Sequence, residues 1–330
     1  MKPKALVLPS PRQQNKVCSE ACRQFINDHY EATWNPFERE MTETELLAYA
    51  EETEVVFTTW ASPTISQTFL DRATNLKAIA HAAGSVKHML DESIFDRGIR
   101  VFSANPRLAL AVSEYCLGAI MIGLRHYHRF NAVMHEGGYG IPGLLGQELT
   151  GQTVGLVSAG ATARGLIRML QPFDVKLKIY DPFLSESEAA ALNAVNVSLE
   201  EVMQCPVISV HAPKLASTRG MIGQQLLRLI PDGAVFINAA RAAVIDYPAL
   251  TEELKSGRFF AALDVFDQEP LDPRHELRQL DNVMLTPHIA GATRQGHRSL
   301  LDVVARDVHA ALRGEATKYE IVKEVFARLA

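Results

Sequence analysis

Short apolar runs recur along this chain with helically patterned stretches between them, and that alternation constrains the fold more than any other feature. The runs are Ala5 to Leu8, Val55 to Thr58, Leu76 to Ala80, Thr153 to Val157, Val175 to Tyr180, Val207 to His211, Ala234 to Asn238, Ala261 to Val265 and Val283 to Thr286. They are apolar almost throughout rather than at every second residue, the pattern of strands covered on both faces. Strands joined through helices need right-handed crossovers, so the expected fold class is α/β, with doubly wound parallel sheets. At 330 residues the chain is long enough for two such cores. A long apolar helix is expected to start after Asn105 and Pro106 and to run to about His128, and the glycine-rich stretch Gly137 to Gly146 reads as a seam between units.

Composition narrows the function classes. A formal net charge of −5 and the lack of a Lys/Arg run leave no field suited to a phosphate backbone, so no nucleic-acid partner is expected. No stretch approaches ~18 uninterrupted apolar residues; even Leu117 to Leu124 is followed by Arg125 and His126, so no membrane association is expected. The first ten residues read as a strand ending at Pro9 rather than as an export leader, which implies a cytoplasmic protein. Cys18, Cys22, Cys116 and Cys205 include one close pair at helical spacing and read as reduced thiols. His126, His128 and His135 fall near the end of the apolar helix, and no metal site is expected.

Chemistry first surfaces between Thr153 and Arg164, which read TVGLVSAGATAR: a strand, a tight turn and a helix start. This is the grammar of a dinucleotide site, in which a helix N-terminus offers free N–H groups to a pyrophosphate. Against the G-x-G-x-x-G fingerprint, Ser158 replaces the first glycine, Gly160 keeps the second, and Ala163 replaces the third. Ala161 and Thr162 would open the helix beneath the phosphates. The next run ends at Asp181, placed to accept hydrogen bonds from the adenosine ribose and to repel a 2′-phosphate. Because Pro182 to Ser185 include no cation, the expected cofactor is NAD rather than NADP.

Three further segments put polar groups directly after apolar runs: INAAR ending at Arg241, ALDVFDQEP ending at Pro270, and LTPHIAGAT ending at Thr293. In open α/β sheets those positions share the ligand-binding carboxyl edge. Arg suits a carboxylate, which its planar fork holds in two parallel charge-assisted bonds. His suits proton exchange at a carbonyl oxygen, and a Glu beside it would stabilise the imidazolium.

On these motifs, with Val244 to Asp246, SVHAP over Ser209 to Pro213 and TRG over Thr218 to Gly220, the chain closely resembles the D-isomer-specific 2-hydroxyacid dehydrogenases. That family includes phosphoglycerate dehydrogenase, glyoxylate/hydroxypyruvate reductase and D-lactate dehydrogenase, and the resemblance covers essentially the whole chain. It implies an NAD-dependent transfer of hydride between nicotinamide and a small D-2-hydroxy or 2-keto acid. Arg241 is implied as carboxylate anchor, His288 as acid/base and Glu269 as its partner, while His211, Ala212, Pro213, Thr218, Ala239, Asp264 and Gly291 line the cofactor, with Asp264 on the carboxamide.

The resemblance further implies a Rossmann NAD-binding domain, residues 105–291, inserted into a flavodoxin-like substrate domain of residues 1–104 and 292–330, with the active site between them. A homodimer built on the apolar helix is implied as well. The substrate loop falls at Ala82 to His88, where the amides near Gly84 and Ser85 would cup the carboxylate; Ser85, Val86 and Lys87 depart from the usual glycine and Asp-Asn pattern. Two other readings share the fold: an NAD(H)-sensing corepressor and a formate dehydrogenase. A descendant whose turn, altered at Ser158 and Ala163, no longer binds cofactor is a third.

Overall fold

The computed structural model describes residues 1–327 and 329. The chain forms two compact units, one made of Met1–Leu108 with the residues from Ala292 on, the other of Ala109–Gly291. The strands, in chain order, are β1 (Lys4–Val7), β2 (Glu31–Trp34), β3 (Val55–Thr58), β4 (Ala78–His81), β5 (Arg100–Ser103), β6 (Thr153–Val157), β7 (Lys176–Tyr180), β8 (Ala194–Asn196), β9 (Val207–Val210), β10 (Val235–Asn238), β11 (Phe260–Leu263), β12 (Val283–Leu285) and β13 (Glu320–Ile321).

The first unit holds one sheet in the order β13-β5-β4-β3-β1-β2, parallel except for β13. From β2 to β5 this is the 2-1-3-4-5 order of flavodoxin-like folds. The helix Leu300–Leu312 covers one face with Leu300, Leu301, Val304, Ala305 and Val308, at the i, i+1, i+4, i+5, i+8 spacing of a core-facing stripe. The antiparallel edge is fastened by Arg100, whose guanidinium makes two bonds to the Glu320 carboxylate at 2.7 and 2.5 Å.

The second unit holds seven strands in the order β12-β11-β10-β9-β6-β7-β8, all parallel. Read from β6, this is the 3-2-1-4-5-6 order of a dinucleotide fold with one further strand. β7 leaves one side of β6 and β9 returns on the other, so the connection reverses between β6 and β9 and opens a crevice beyond their carboxyl ends. The helix Ala161–Leu170 leaves that crevice with Ala163, Leu166, Ile167 and Leu170 buried at i, i+3, i+4 and i+7. Its neighbour is the helix Asn105–Leu124, which approaches so closely at Gly165 that an added Cβ would lie 2.2 Å from Ser113 Oγ.

Two expectations change. The apolar helix ends at Leu124, because His126 takes a left-handed conformation (φ 51°) that stops the ladder, and a separate helix, Tyr127–His135, carries His128 and His135. Glycine-rich residues 137–146 form a largely exposed loop inside the second unit rather than a seam between units. By length and composition alone the Asn105–Leu124 helix is long and apolar enough to cross a membrane, although Arg107, Ser113 and Glu114 interrupt it; its Cys116, Ala119, Ile120 and Leu124 are buried in the core of the second unit.

Candidate active site

Parallel register brings six strand ends to one edge of the second unit. Val157 pairs with both Tyr180 and Val210, Asn238 with Leu263, and Leu263 with Leu285. The ladder then continues one residue further: Ser158 donates to Tyr180 O at 2.7 Å, His211 to Val157 O at 2.8 Å, Asp264 to Asn238 O at 3.0 Å and Thr286 to Leu263 O at 3.0 Å. Each polar group therefore leaves the sheet at a fixed height.

At the crevice, Gly160 is the N-cap of the Ala161–Leu170 helix and supplies no side chain to its first turn. The first-turn N–H groups, those of Ala161 and Thr162 among them, lack intrahelical acceptors and sit at the positive end of the helix dipole. A Cβ added to Gly160 would meet nothing within 4 Å, so the space above the turn is open. Ala163 is fully buried and fills the helix-packing place of the third fingerprint glycine. At the end of β7, Asp181 Oδ2 accepts from Ala159 N at 2.8 Å and Ser158 Oγ at 3.2 Å, and Oδ1 accepts from Phe183 N at 2.9 Å. Arg164, which the sequence argument passed over, donates from Nε to Ala159 O at 2.9 Å and puts a cation at this turn.

Beyond β9, His211 Nε2 is buried with no hydrogen-bond partner among the described residues, and burial pulls the ring down to about 4, so it is neutral near pH 7. Ala212 is buried beside it. The Thr218 hydroxyl donates to Pro213 O at 2.5 Å and accepts from Leu215 N at 2.9 Å, and so staples the loop that carries Pro213.

The other three strand ends carry the candidate reactive groups. After β10, Asn238 folds the chain back by accepting from Ala240 N at 3.1 Å and donating to Arg241 O at 3.3 Å. Ala239 is buried, while Arg241 is half-buried and braced by a 2.7 Å bond from Nη1 to Ala240 O. Burial lowers the Arg241 guanidinium from its usual range and the nearby Glu269 opposes that shift, so it stays charged. After β11, the Phe266 N–H donates to Glu269 Oε1 at 3.0 Å, which leaves Oε2 to meet His288 Nδ1 at 2.7 Å. With Nδ1 facing the carboxylate, Nε2 is the ring atom free to exchange a proton.

His288 lies after β12 in the left-handed region (φ 55°), a conformation that costs a side-chain-bearing residue about 1–3 kcal/mol and persists where the surroundings impose it. Those surroundings include Asp264, 1% exposed, whose carboxylate accepts from Thr286 Oγ1 at 2.6 Å, Ile289 N at 2.8 Å and Ala290 N at 2.8 Å. Since Thr286 spends its only hydroxyl proton on Asp264, Tyr115 OH, 2.7 Å away, is the donor in its bond to Thr286. The Asp264 oxygens hold the loop that bears His288 and leads to Gly291. Arg241, Glu269 and His288 line one cavity of about 420 Å³, together with Arg219 of the TRG motif and Lys214, a cation that sequence reasoning did not single out.

In the first unit, Gly84 accepts from Ser103 Oγ at 2.5 Å, and Ser85 Oγ accepts from Lys87 N at 3.3 Å. A Cβ at Gly84 would make ordinary contacts, so the loop has no steric need of glycine there. Lys87 is held by the chain's own end, donating to Ala327 O at 2.8 Å with its ammonium 5.8 Å from the Phe326 ring. All four cysteines are free and buried, and no group of three or more His, Cys, Asp or Glu side chains suited to a metal ion occurs among the described residues.

A family model described as D-isomer specific 2-hydroxyacid dehydrogenase, NAD binding domain, matches residues 117–290, the stretch that holds every reactive group above. The chain belongs to that family. It is similar to a glyoxylate reductase of Thermofilum pendens, 35% identical over 78% of each protein. It is also similar to a D-3-phosphoglycerate dehydrogenase of Archaeoglobus fulgidus, 30% identical over 72% of this chain and 46% of the longer relative. Among solved structures, a phosphoglycerate oxidoreductase from Rhizobium etli superposes with a TM-score of 0.83 at 26% identity, over 96% of this chain and 97% of the other. This dehydrogenase is an NAD-dependent oxidoreductase acting on the CH–OH group of 2-hydroxy acids. The edge fits its dinucleotide: an uncapped helix start, open space over Gly160, an acceptor-only carboxylate after β7 and an unpartnered buried nitrogen on His211.

Proposed function

We propose that this dehydrogenase reduces a small 2-keto acid to the D-2-hydroxy acid, with Arg241 as carboxylate anchor, His288 as the acid and Glu269 as the group that orients it. The observation that carries the reading is the 2.7 Å contact between Glu269 Oε2 and His288 Nδ1 in the cavity that Arg241 also lines. NADH, when bound, supplies the hydride that C2 of the keto acid gains. Arg241 fixes the carboxylate beside that carbon and so decides which face of the carbonyl is reduced. His288 Nε2 delivers a proton to the carbonyl oxygen, and in the reverse direction takes it from the hydroxyl. Glu269 keeps Nδ1 occupied and balances the ring's positive charge while Nε2 holds its proton. For the cofactor, the helix start at Gly160, Ala161 and Thr162 would take the pyrophosphate, and Asp181 the adenosine ribose in preference to a 2′-phosphate.

The similarity to a glyoxylate reductase favours glyoxylate as substrate, and the loop at Gly84 and Ser85 is proposed to meet the substrate. A homodimer is supported by the exposed apolar side chains Tyr127, Met134, Tyr139 and Leu145 on and after the Tyr127–His135 helix. A cytoplasmic protein that binds neither nucleic acid nor membrane accords with its charge. The test is NADH oxidation with glyoxylate, hydroxypyruvate, pyruvate, phenylpyruvate and 3-phosphohydroxypyruvate, beside an Arg241→Ala control. Turnover of one acid that the control abolishes supports the reading. NADH binding with no turnover of any of them contradicts it and favours a sensor of the same fold.

A further inference from the structure

We propose that Ser158 is a positioning residue for the ribose end of the cofactor, which holds the Asp181 carboxylate in the orientation that distinguishes NAD from NADP. The inference rests on the reading of Asp181 as the ribose acceptor and goes beyond it by assigning a role to the one fingerprint position where this chain departs most from glycine.

The turn after β6 requires a positive φ at residue 158, and the backbone there has φ 78°. Glycine adopts that conformation freely, whereas any other L-residue is strained in it, so a serine here needs a compensating contact. The compensation is visible. Ser158 Oγ donates to Asp181 Oδ2 at 3.2 Å, and the Ala159 N–H donates to the same oxygen at 2.8 Å. Phe183 N holds Oδ1 at 2.9 Å, and Asn196 fixes the aspartate's backbone, accepting from Asp181 N and donating to Asp181 O, both at 3.2 Å.

An ionised carboxylate has about four lone-pair directions, and the protein takes three. A glycine at 158 would leave one more unfilled, and the carboxylate freer to rotate. Held as it is, Asp181 presents its remaining acceptor capacity in one direction, so that little ordering is left for ribose binding to supply. The fixed negative charge also matters because Arg164 stands at the same turn, bonded to Ala159 O, and is the cation a 2′-phosphate would seek. Ser158 keeps the carboxylate, rather than that cation, in command of the site.

The experiment measures NADH and NADPH dissociation constants and melting temperature for the wild type, Ser158→Ala, Ser158→Gly, Asp181→Asn and the Ser158→Ala/Asp181→Asn double variant. Both single serine variants should weaken NADH about three- to tenfold, in keeping with the cost of ordering one loosened side chain on binding, and should narrow the preference over NADPH. Ser158→Gly relieves the strain, so its melting temperature should match or exceed the wild type and lie above that of Ser158→Ala. In the Asp181→Asn background the alanine substitution should add nothing. Unchanged NADH affinity and preference in Ser158→Gly would overturn the proposal, as would an alanine effect that persists undiminished without the aspartate. An Asp181→Asn variant with the wild-type preference would instead remove the underlying reading of Asp181, and the proposal with it.

Discussion

Glu269 reaches His288 with one carboxylate oxygen and the Phe266 amide with the other, so its work is separable from folding. Its side chain is 37% exposed, and Glu269→Gln should leave stability within about 0.5 kcal/mol. It should lower kcat by about tenfold or more through loss of part of the acid/base contribution, with little change in KM while Arg241 is intact. A raised KM at constant kcat would place Glu269 in substrate binding instead. A second residue-scale prediction concerns His81, which is fully buried, bonded through Nδ1 to Thr58 Oγ1 at 2.9 Å and faced by the His88 ring at 5.5 Å. Burial, helped by His88, pulls His81 down to about 3. Above the ordinary histidine value near 6.5, neither folded nor unfolded chain holds the proton and the full stability is present. As pH falls from there toward 3, only the unfolded chain takes it up, so stability is lost, by up to a few kcal/mol. Melting temperatures between pH 7 and 4 should fall less steeply in His81→Gln; equal slopes would contradict the assignment. The residues proposed to react were legible in the sequence because Arg241, Glu269 and His288 are each conspicuous just beyond an apolar run. The use made of Asp264 was not, since its partners Thr286, Ile289 and Ala290 meet it only through tertiary packing, and Tyr115, which donates to Thr286, is 171 residues from it along the chain.

Most central strands were legible and most edge strands were not, with two exceptions: the central, buried β5 was passed over and the edge strand β12 was read. β6, β9, β10 and β11 read as unbroken apolar runs because they are central, whereas β2, β8 and β13 lie at sheet edges, and β2 alternates exposed with half-buried residues. A two-residue antiparallel strand such as β13 has no periodicity to read; it is held by the ion pair between Arg100 and Glu320 and by Asp307, which accepts from Lys318 N and Tyr319 N. The break in the long apolar helix was hidden for a similar reason, since His126 at φ 51° is neither glycine nor proline. One element-scale consequence is testable at Gly123. An added Cβ there would lie 2.6 Å from the Phe260 ring and 2.8 Å from Val235 Cγ2, so the Asn105–Leu124 helix needs this glycine to lie on β10 and β11. Gly123→Ala should cost about 1–3 kcal/mol, as overpacking of a filled core does, measured by denaturant midpoint. A variant as stable as the wild type would show that the helix can retreat without loss.

At the scale of the whole molecule, the alternation of runs and helices already specified two doubly wound parallel sheets, because few other arrangements cover strands of that kind. What composition left open was where the chain passes from one unit to the other: it does so at Leu108 and Ala109, within a helix whose pattern is unbroken, and returns at Ala292. The central claim concerns stereochemistry as much as rate, since an arginine that fixes one carboxylate beside a fixed acid exposes a single face of the carbonyl. The most direct test is to react the purified protein with NADH and whichever keto acid of the panel it reduces to a chiral product, and to resolve the product by chiral chromatography. The account predicts the D-2-hydroxy acid alone, with none formed by Arg241→Ala. A racemic or L product, or undiminished turnover in that variant, would contradict it.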